Sequence, residues 1–409
     1  MADSRRGLRA GLVFAVAEAV QTIALLPLIR EQAGAGPAGA WVVFGASSAL
    51  VGLAGTAYFQ PIVRSIVALQ PVQDAGRLPA NWSALQRSLA MRCALLLALL
   101  QGLFLLCVPG REGHLDALSL PVLLTLFMAQ HLRLVAMGQF TAYNGMAWLG
   151  EDKLQMARAS LLGLMGSVAV LSLGGGLLGL ALVQVASQGW LTLTAWRGLR
   201  SAPAGTAPAM LAPGGQALAL LCLGLAGYLN VGTDALLAGA WLSASALVDY
   251  GVLSRTLALA PAAVALGVHV RFPAWSAPSV QPGQLNRDLA LALMMLGLAL
   301  PAMTALFMVW HRYGPLSDGL PATLIVLAGL NAFVASAVIV IGQMLLARSE
   351  HGFVWPSTLV AACAPALAGL AALKEWPGSF MLGYLVCNGA LLVMQLMWFG
   401  RANRGLGRA

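Results

Sequence analysis

LPATLIVLAGLNAFVASAVIVIGQMLL, residues 320–346, carries no Asp, Glu, Lys, Arg or His along its whole length. A helix needs about 20 mostly apolar residues to cross the hydrocarbon of a bilayer, and this run exceeds that length. In lipid such a helix satisfies its own backbone hydrogen bonds and turns its side chains to acyl chains. Working outward, comparable runs lie near 9–29, 38–61, 88–109, 117–146, 157–173, 176–196, 215–239, 243–270, 288–310, 353–373 and 378–399. Together they predict twelve spans, of which the fifth and sixth are divided only by Gly174-Gly175-Gly176. The fold class is therefore all-α integral membrane, a multi-pass chain.

Composition agrees. Of the 409 residues 59% are hydrophobic and 9% are charged, where a soluble domain carries about 25% charge. The formal charge of +9 does not point to nucleic acid, because the basic residues fall singly in short loops without interleaved aromatics. They act instead as topology signals. Placing the N-terminus inside puts 17 of the 23 Lys and Arg residues on the cytoplasmic side and 4 outside (Arg30, Arg111, Arg312, Lys374). The other 2, Arg133 and Arg255, fall within spans. That bias predicts an N-in, C-in topology. Ser4-Arg5-Arg6-Gly7-Leu8 superficially resembles a twin-arginine export signal, but eleven further spans favour a retained first helix.

The five cysteines, Cys93, Cys107, Cys222, Cys363 and Cys387, each stand alone in an apolar segment and read as small core residues. Paired carboxylates at a membrane surface, a Ser/His/Asp set, zinc spacing and a phosphate-cradling GxxxxGK[ST] loop are all missing. The reading is of a non-enzyme without cofactor or metal, powered by a gradient or a partner and not by ATP.

The most polar, Pro- and Gly-rich connection is Arg200-Ser201-Ala202-Pro203-Ala204-Gly205-Thr206-Ala207-Pro208. Six spans precede it and six follow, giving an N-terminal half 1–200, a cytoplasmic linker 201–213 and a C-terminal half 214–409. Six spans per half permit a two-fold axis along the membrane normal, a design that places substrate in a central cleft between halves.

Ionisable groups within spans cost about 2.5–3.5 kcal/mol on insertion scales, so each invites a functional hypothesis. Arg255 lies near the middle of the eighth expected span and Arg133 at similar depth in the fourth. Gln130, Arg133, Met137, Thr141 and Asn144 follow helical spacing and predict a polar stripe; Thr56, Gln60 and Arg64 predict another in the second span. The acidic counterparts are Glu18, with Gln21 and Thr22 on its face, Asp234, with Asn230, and Asp249. One reading makes Glu18, Asp234 and Asp249 ion-coupling groups; the other makes Glu18 or Asp234 a partner of Arg133 or Arg255 that holds helices together. Arg64, at a helix end, reads as a topology anchor or a gate. His131 and His269 read as satisfied or interfacial histidines.

Leu247-Val248-Asp249-Tyr250-Gly251-Val252-Leu253-Ser254-Arg255-Thr256-Leu257, with Pro261 and Phe272-Pro273-Ala274-Trp275-Ser276 following, resembles the second-half signature of the multidrug/oligosaccharidyl-lipid/polysaccharide exporter superfamily. Leu229-Asn230-Val231-Gly232-Thr233-Asp234 through Gly239-Ala240-Trp241 is similar to its seventh span. Gly36-Pro37-Ala38-Gly39-Ala40-Trp41 and Tyr58-Phe59-Gln60-Pro61-Ile62-Val63-Arg64 fit its first half. The resemblance covers most of the chain and leans to the polysaccharide (Wzx-type) branch. It implies a flippase for undecaprenyl-diphosphate-linked oligosaccharide, with Arg255 and Arg133 on the diphosphate and Arg64, Gln60, Asn144, Asn230 and Tyr250 as further substrate contacts. Membrane lipid, a glycan polymerase partner, a monomeric state and a place in a bacterial inner membrane are the companion expectations that the resemblance implies. The alternatives are a cation-coupled multidrug exporter of the same superfamily, its lipid II branch, and a membrane-embedded glycan polymerase or glycosyltransferase. The enzyme alternative calls for a large outer loop, whereas the longest expected loop, roughly 65–87, is cytoplasmic.

Overall fold

In the computed structural model the described residues are 2–68, 77–107, 118–146, 150–206, 208, 214–260, 264, 275, 281–313, 320–348, 352–373 and 378–406. They are helical almost throughout, and one isolated bridge, Leu78 to Ala204, is the only strand-like pairing among them. The chain forms two compact units, Met1–Gly224 and Leu225–Ala409.

The first unit holds α1 (Ala2–Ala33), α2 (Ala35–Ser47), α3 (Ala49–Ala68), α4 (Trp82–Cys107), α5 (Leu120–Gly145), α6 (Glu151–Ser172), α7 (Gly176–Arg200) and most of α8 (Gly214–Gly227). The second holds a π-helical turn (Tyr228–Gly232), α9 (Asp234–Trp241), α10 (Ala244–Leu257), α11 (Pro282–Tyr313), α12 (Ala322–Ala347), α13 (Val354–Ala372) and α14 (Phe380–Leu406). Eleven helical stretches among the described residues are long and apolar enough to cross a membrane.

Of the eighth expected span, 243–270, α10 covers 14 residues, about 21 Å at 1.5 Å per residue, and 261–263 and 265–274 lie outside the described residues. The second expected span, 38–61, carries a one-residue interruption at Ser48 between α2 and α3, and Ala35–Gly55 still counts among the stretches long enough to cross a membrane. There Ser47 Oγ donates to the Phe44 carbonyl (2.6 Å), and Ser48 N–H bonds Gly45 three residues back. Such side-chain competition for the ladder at a Ser-Ser pair is a recognised cause of helix kinks. The long loop expected at 65–87 shrinks, because α3 continues to Ala68 and α4 begins at Trp82.

The linker expected at 201–213 is tied to the first unit over its described part. Leu78 N–H donates to the Pro203 carbonyl (2.8 Å) and Gly205 N–H to the Leu78 carbonyl (2.7 Å), so the division between compact units falls later, inside α8. Close by, the Arg200 guanidinium stacks on Trp196 at 3.8 Å in the last turn of α7. A cation at that end also complements the helix dipole.

The split between the fifth and sixth spans stands where the three glycines predict it. Gly174 and Gly176 take positive φ (76° and 59°), a region that only glycine enters freely, and Gly175 N–H closes onto the Val170 carbonyl at 2.8 Å.

Lipid offers no hydrophobic drive between helices, so packing relies on small residues that let backbones approach. Gly145 makes room for Ile66, Gly198 for the Tyr143 hydroxyl, Gly329 for Thr304 and Gly383 for the α13 backbone at Leu367 and Ala368. In the first unit Ile62, Ile66, Trp82, Phe140, Tyr143, Met146 and Leu199 form one buried cluster, joining α3, α4, α5 and α7. In the second unit the buried Asn388 amide donates to the Asn331 carbonyl oxygen at 2.9 Å, bridging α14 to α12. Removing one amide leaves the other buried and unsatisfied, at a cost of about 1–3 kcal/mol. Asn388→Leu is therefore expected to destabilise the detergent-solubilised protein by that amount, and the Asn331→Leu/Asn388→Leu pair to recover most of the loss. Thermal unfolding of the two variants beside the wild type measures it; a double variant as unstable as the single would remove the pairing from the account.

Candidate functional site

In the second unit the chemistry gathers where the helical ladder breaks. α8 passes into the π turn, whose wider i→i+5 spacing frees backbone groups, and α9 restarts at Asp234. Gly232 has no Cβ to collide with the Tyr228 ring, which lies against it. Thr233 Oγ1 donates to the Leu229 carbonyl (2.6 Å) and is hydrogen-bonded to the Tyr384 hydroxyl of α14 (2.7 Å). One residue on, Asp234 Oδ1 accepts from Ala235 N–H and Oδ2 accepts from the Tyr250 hydroxyl of α10, both at 2.7 Å. A carboxylate in a first helical turn is also favoured by the helix dipole. Arg255, exposed in the last turn of α10, is close enough to act on Asp234 electrostatically. Asn230, inside the π turn, is buried, and its Oδ1 has no hydrogen-bond partner among the described residues. This cluster of a carboxylate, two tyrosines, a threonine and an amide can hold a proton or a small cation at a point where the helix is open.

The sequence-predicted residues are thus distributed unevenly. Asp234, Tyr250 and Asn230 come together in the second unit with Arg255 in electrostatic reach. Tyr250, expected as a substrate contact, is 1% exposed, packs edge-on to Phe380, and directs its hydroxyl to Asp234. Asp249 is wholly buried on α10. Thr233 stands in the stretch 229–234 but carries no site role by sequence, and the only signal for Tyr384 is a lone polar residue in an apolar run.

In the first unit, Arg133 Nη2 donates to Glu18 Oε1 at 3.2 Å, joining α5 to α1. The predicted α5 stripe does not form a single lining. Gln130 turns the other way, donating to Ser47 Oγ (2.7 Å) and accepting from Gln101 Nε2 (2.8 Å), so a buried chain runs from α4 through α5 to the α2 break. Thr141 bonds back to the Met137 carbonyl, and Asn144 is half-buried near the end of α5. Gln101 and Ser47 went unnoticed in sequence. Gln60 and Arg64 belong to α3, but their side chains lie outside the described residues, as do those of Thr56 and Thr22. His131 bonds the Phe127 carbonyl at 3.0 Å, as expected of a satisfied histidine; His269 is outside the described residues. Of the cysteines, Cys93 and Cys387 are buried, Cys222 is intermediate, and Cys363 is exposed, contrary to a core reading for all five. Cys107 carries no description of its side chain. Among the described residues no group of His, Cys, Asp and Glu could hold a metal ion.

No protein-family model and no curated protein matches the sequence. Solved structures do match. A multidrug resistance MATE family transporter of the MOP superfamily, in an inward-facing conformation, aligns over 96% of both chains with a TM-score of 0.63 and 14% identity. The MATE multidrug transporter DinF-BH, solved in complex with R6G, aligns over 97% of this chain and 94% of its own, with a TM-score of 0.66 and 13% identity. A MOP superfamily transporter from Pyrococcus furiosus, described as having a binding pocket of reversed polarity, covers 100% of this chain and 96% of its own at a TM-score of 0.58 and 14% identity. The chain therefore has a two-half, all-helical membrane fold similar to that of the MATE transporters of the MOP superfamily.

Proposed function

We propose that the chain is an ion-coupled exporter of small organic solutes, with Asp234 carrying the coupled proton. The observation that bears this reading is the Asp234–Tyr250–Thr233–Tyr384 cluster beside a broken helix. A carboxylate within a span, held by directed hydrogen bonds where regular α-helical geometry is interrupted, suits the ion sites that coupled transporters place near the midplane. Likeness in fold to multidrug transporters supports the same class. It also moves the balance away from the glycan flippase expected from sequence, because Arg133 is engaged by Glu18 and Arg255 is within electrostatic range of Asp234. Both arginines are thus neighboured by carboxylates, and a diphosphate would have to compete with them. The orientation is N-terminus in the cytoplasm.

A second reading is kept by one observation. Arg255 is exposed on α10, and an exposed guanidinium within a span suits phosphate oxygens. For the Pyrococcus furiosus protein of this fold, a reversed polarity of the binding pocket is described as suggesting a different function. Reconstitution decides between the two. Proteoliposomes holding the purified chain and an imposed pH gradient should accumulate a fluorescent organic cation several-fold over empty vesicles. Translocation of a prenyl-diphosphate-linked oligosaccharide with no movement of the cation would instead establish the flippase reading.

A further inference from the structure

Two side chains of α14, Phe380 and Tyr384, stand one helical turn apart and so share a face of that helix. Both are buried. Each holds one of the two neighbours on which the Asp234 carboxylate depends. Phe380 packs edge-on to the Tyr250 ring, with centroids 6.0 Å apart, and the Tyr250 hydroxyl donates to Asp234 Oδ2 at 2.7 Å. Tyr384 bonds Thr233, the residue before Asp234, at 2.7 Å. The direction of that bond follows from counting protons. A threonine hydroxyl has one, and Thr233 gives it to the Leu229 carbonyl at 2.6 Å, so the Tyr384 O–H donates to Thr233 Oγ1. A directed chain, Tyr384 to Thr233 to Leu229, thus ends on a carbonyl of the π turn and pins the backbone from which α9 and Asp234 start.

A ring that serves only as filler has no use for a hydroxyl, because a buried O–H costs free energy unless it is bonded. In Tyr384 the hydroxyl goes to the residue that leads into Asp234. A group that must take and give a proton works within a narrow tolerance of position, and misplacement by about 1 Å can cost on the order of a hundredfold in rate. We propose that Tyr384 and Phe380 are positioning residues for the Asp234 proton site, fixing the carboxylate through Thr233 on one side and Tyr250 on the other. This deepens, and rests on, the reading of Asp234 as the proton carrier. The carboxylate is then held by a helix 151 positions along the chain from Thr233, and a shift of α14 against α9 and α10 changes both holds together.

The test reads the carboxyl group directly. Infrared difference spectra of the full chain in nanodiscs, stepped in pH, identify the Asp234 band as the carboxyl stretch that Asp234→Asn removes. Tyr384→Phe deletes one oxygen, keeps the ring and leaves no donor unmet. It is expected to move the titration midpoint of that band by about one pH unit, since the bonds a carboxylate receives help to set its proton affinity. Thr233→Val should move it equally and the double variant no further, because one chain is cut at two points. Phe380→Leu should move it through Tyr250. Thr304→Val is the control: that hydroxyl bonds back to Leu300 within α11, and the band should stay in place. Among the described residues the other titratable groups in electrostatic reach of the cluster are Tyr228 in the π turn, Arg255 on α10, Cys387 on α14 and, next to it, Cys363 on α13; all are kept in every variant. In proteoliposomes Tyr384→Phe should lower gradient-driven accumulation about tenfold. A band unmoved by Tyr384→Phe, a band moved as far by Thr304→Val, or undiminished accumulation overturns the positioning role and leaves the proton-carrier reading standing. A wild type with no band that Asp234→Asn removes overturns both.

Discussion

Asp234→Asn is expected to abolish proton-driven export, lowering gradient-driven accumulation on the order of tenfold or more, to the level of empty vesicles. The argument is geometric. Asparagine keeps the size of the side chain and an oxygen able to accept from Ala235 N–H or from the Tyr250 hydroxyl, both 2.7 Å from the native carboxylate. The turn leading into α9 should therefore survive, while the group that takes up and gives back a proton is gone. Gradient-independent exchange of solute across the same vesicles should persist, because that step needs binding and movement but no net proton. Loss of both activities with an unchanged melting temperature would mean that Asp234 binds solute; retention of gradient-driven export would move the coupling to another carboxylate, with Glu18 and Asp249 the next to replace.

Gly383→Leu should have the largest effect on stability. At this position of α14 a Cβ would run into backbone atoms of Leu367 and Ala368 on α13, and a neighbouring helix backbone cannot rotate aside as a side chain can. Overpacking usually costs about 1–3 kcal/mol per site, and with a backbone obstacle Gly383→Leu is expected at or beyond about 3 kcal/mol, with Gly383→Ala inside that range. Gly389, on the same helix, has nothing within 4 Å of where its Cβ would stand. Gly389→Leu is accordingly expected to stay within about 0.5 kcal/mol. Thermal unfolding of the three variants in detergent provides the comparison. Equal losses at 383 and 389 would show that the α13–α14 contact does not depend on this close approach.

Much of the architecture was legible because hydropathy is local. Each apolar run declares a span from its own residues, so the long helices could be placed with ends up to about seven positions off, and the triple glycine at 174–176 located the reversal between α6 and α7. Where local patterning misled, a hydrogen bond was responsible. Ser47 and Ser48 read as ordinary members of an apolar span, yet the Ser47 hydroxyl takes the Phe44 carbonyl and, through Gln130, anchors the break between α2 and α3. The linker after Arg200 read only as polar and rich in Pro and Gly; its pairing with Leu78, which binds it to the first unit, is a tertiary feature.

The candidate site was half legible. Ionisable residues inside spans are rare and expensive, so Glu18, Arg133, Asp234, Asp249 and Arg255 identified themselves. Their partners did not. Glu18 meets Arg133 across 115 positions and Thr233 meets Tyr384 across 151, and a helical stripe does not say which neighbouring helix it will face. The α5 stripe is the clear case: Gln130 and Arg133 share a face by spacing but serve different helices, one toward α4 and α2, the other toward α1. By itself the sequence determined that this is a multi-pass helical membrane protein and which charged residues its spans must accommodate, because burial in hydrocarbon is a cost each residue incurs alone. Only the tertiary structure decided which charges are paired and which carboxylate sits at an opened helix, because pairing energy belongs to two side chains brought together by helices distant in the chain.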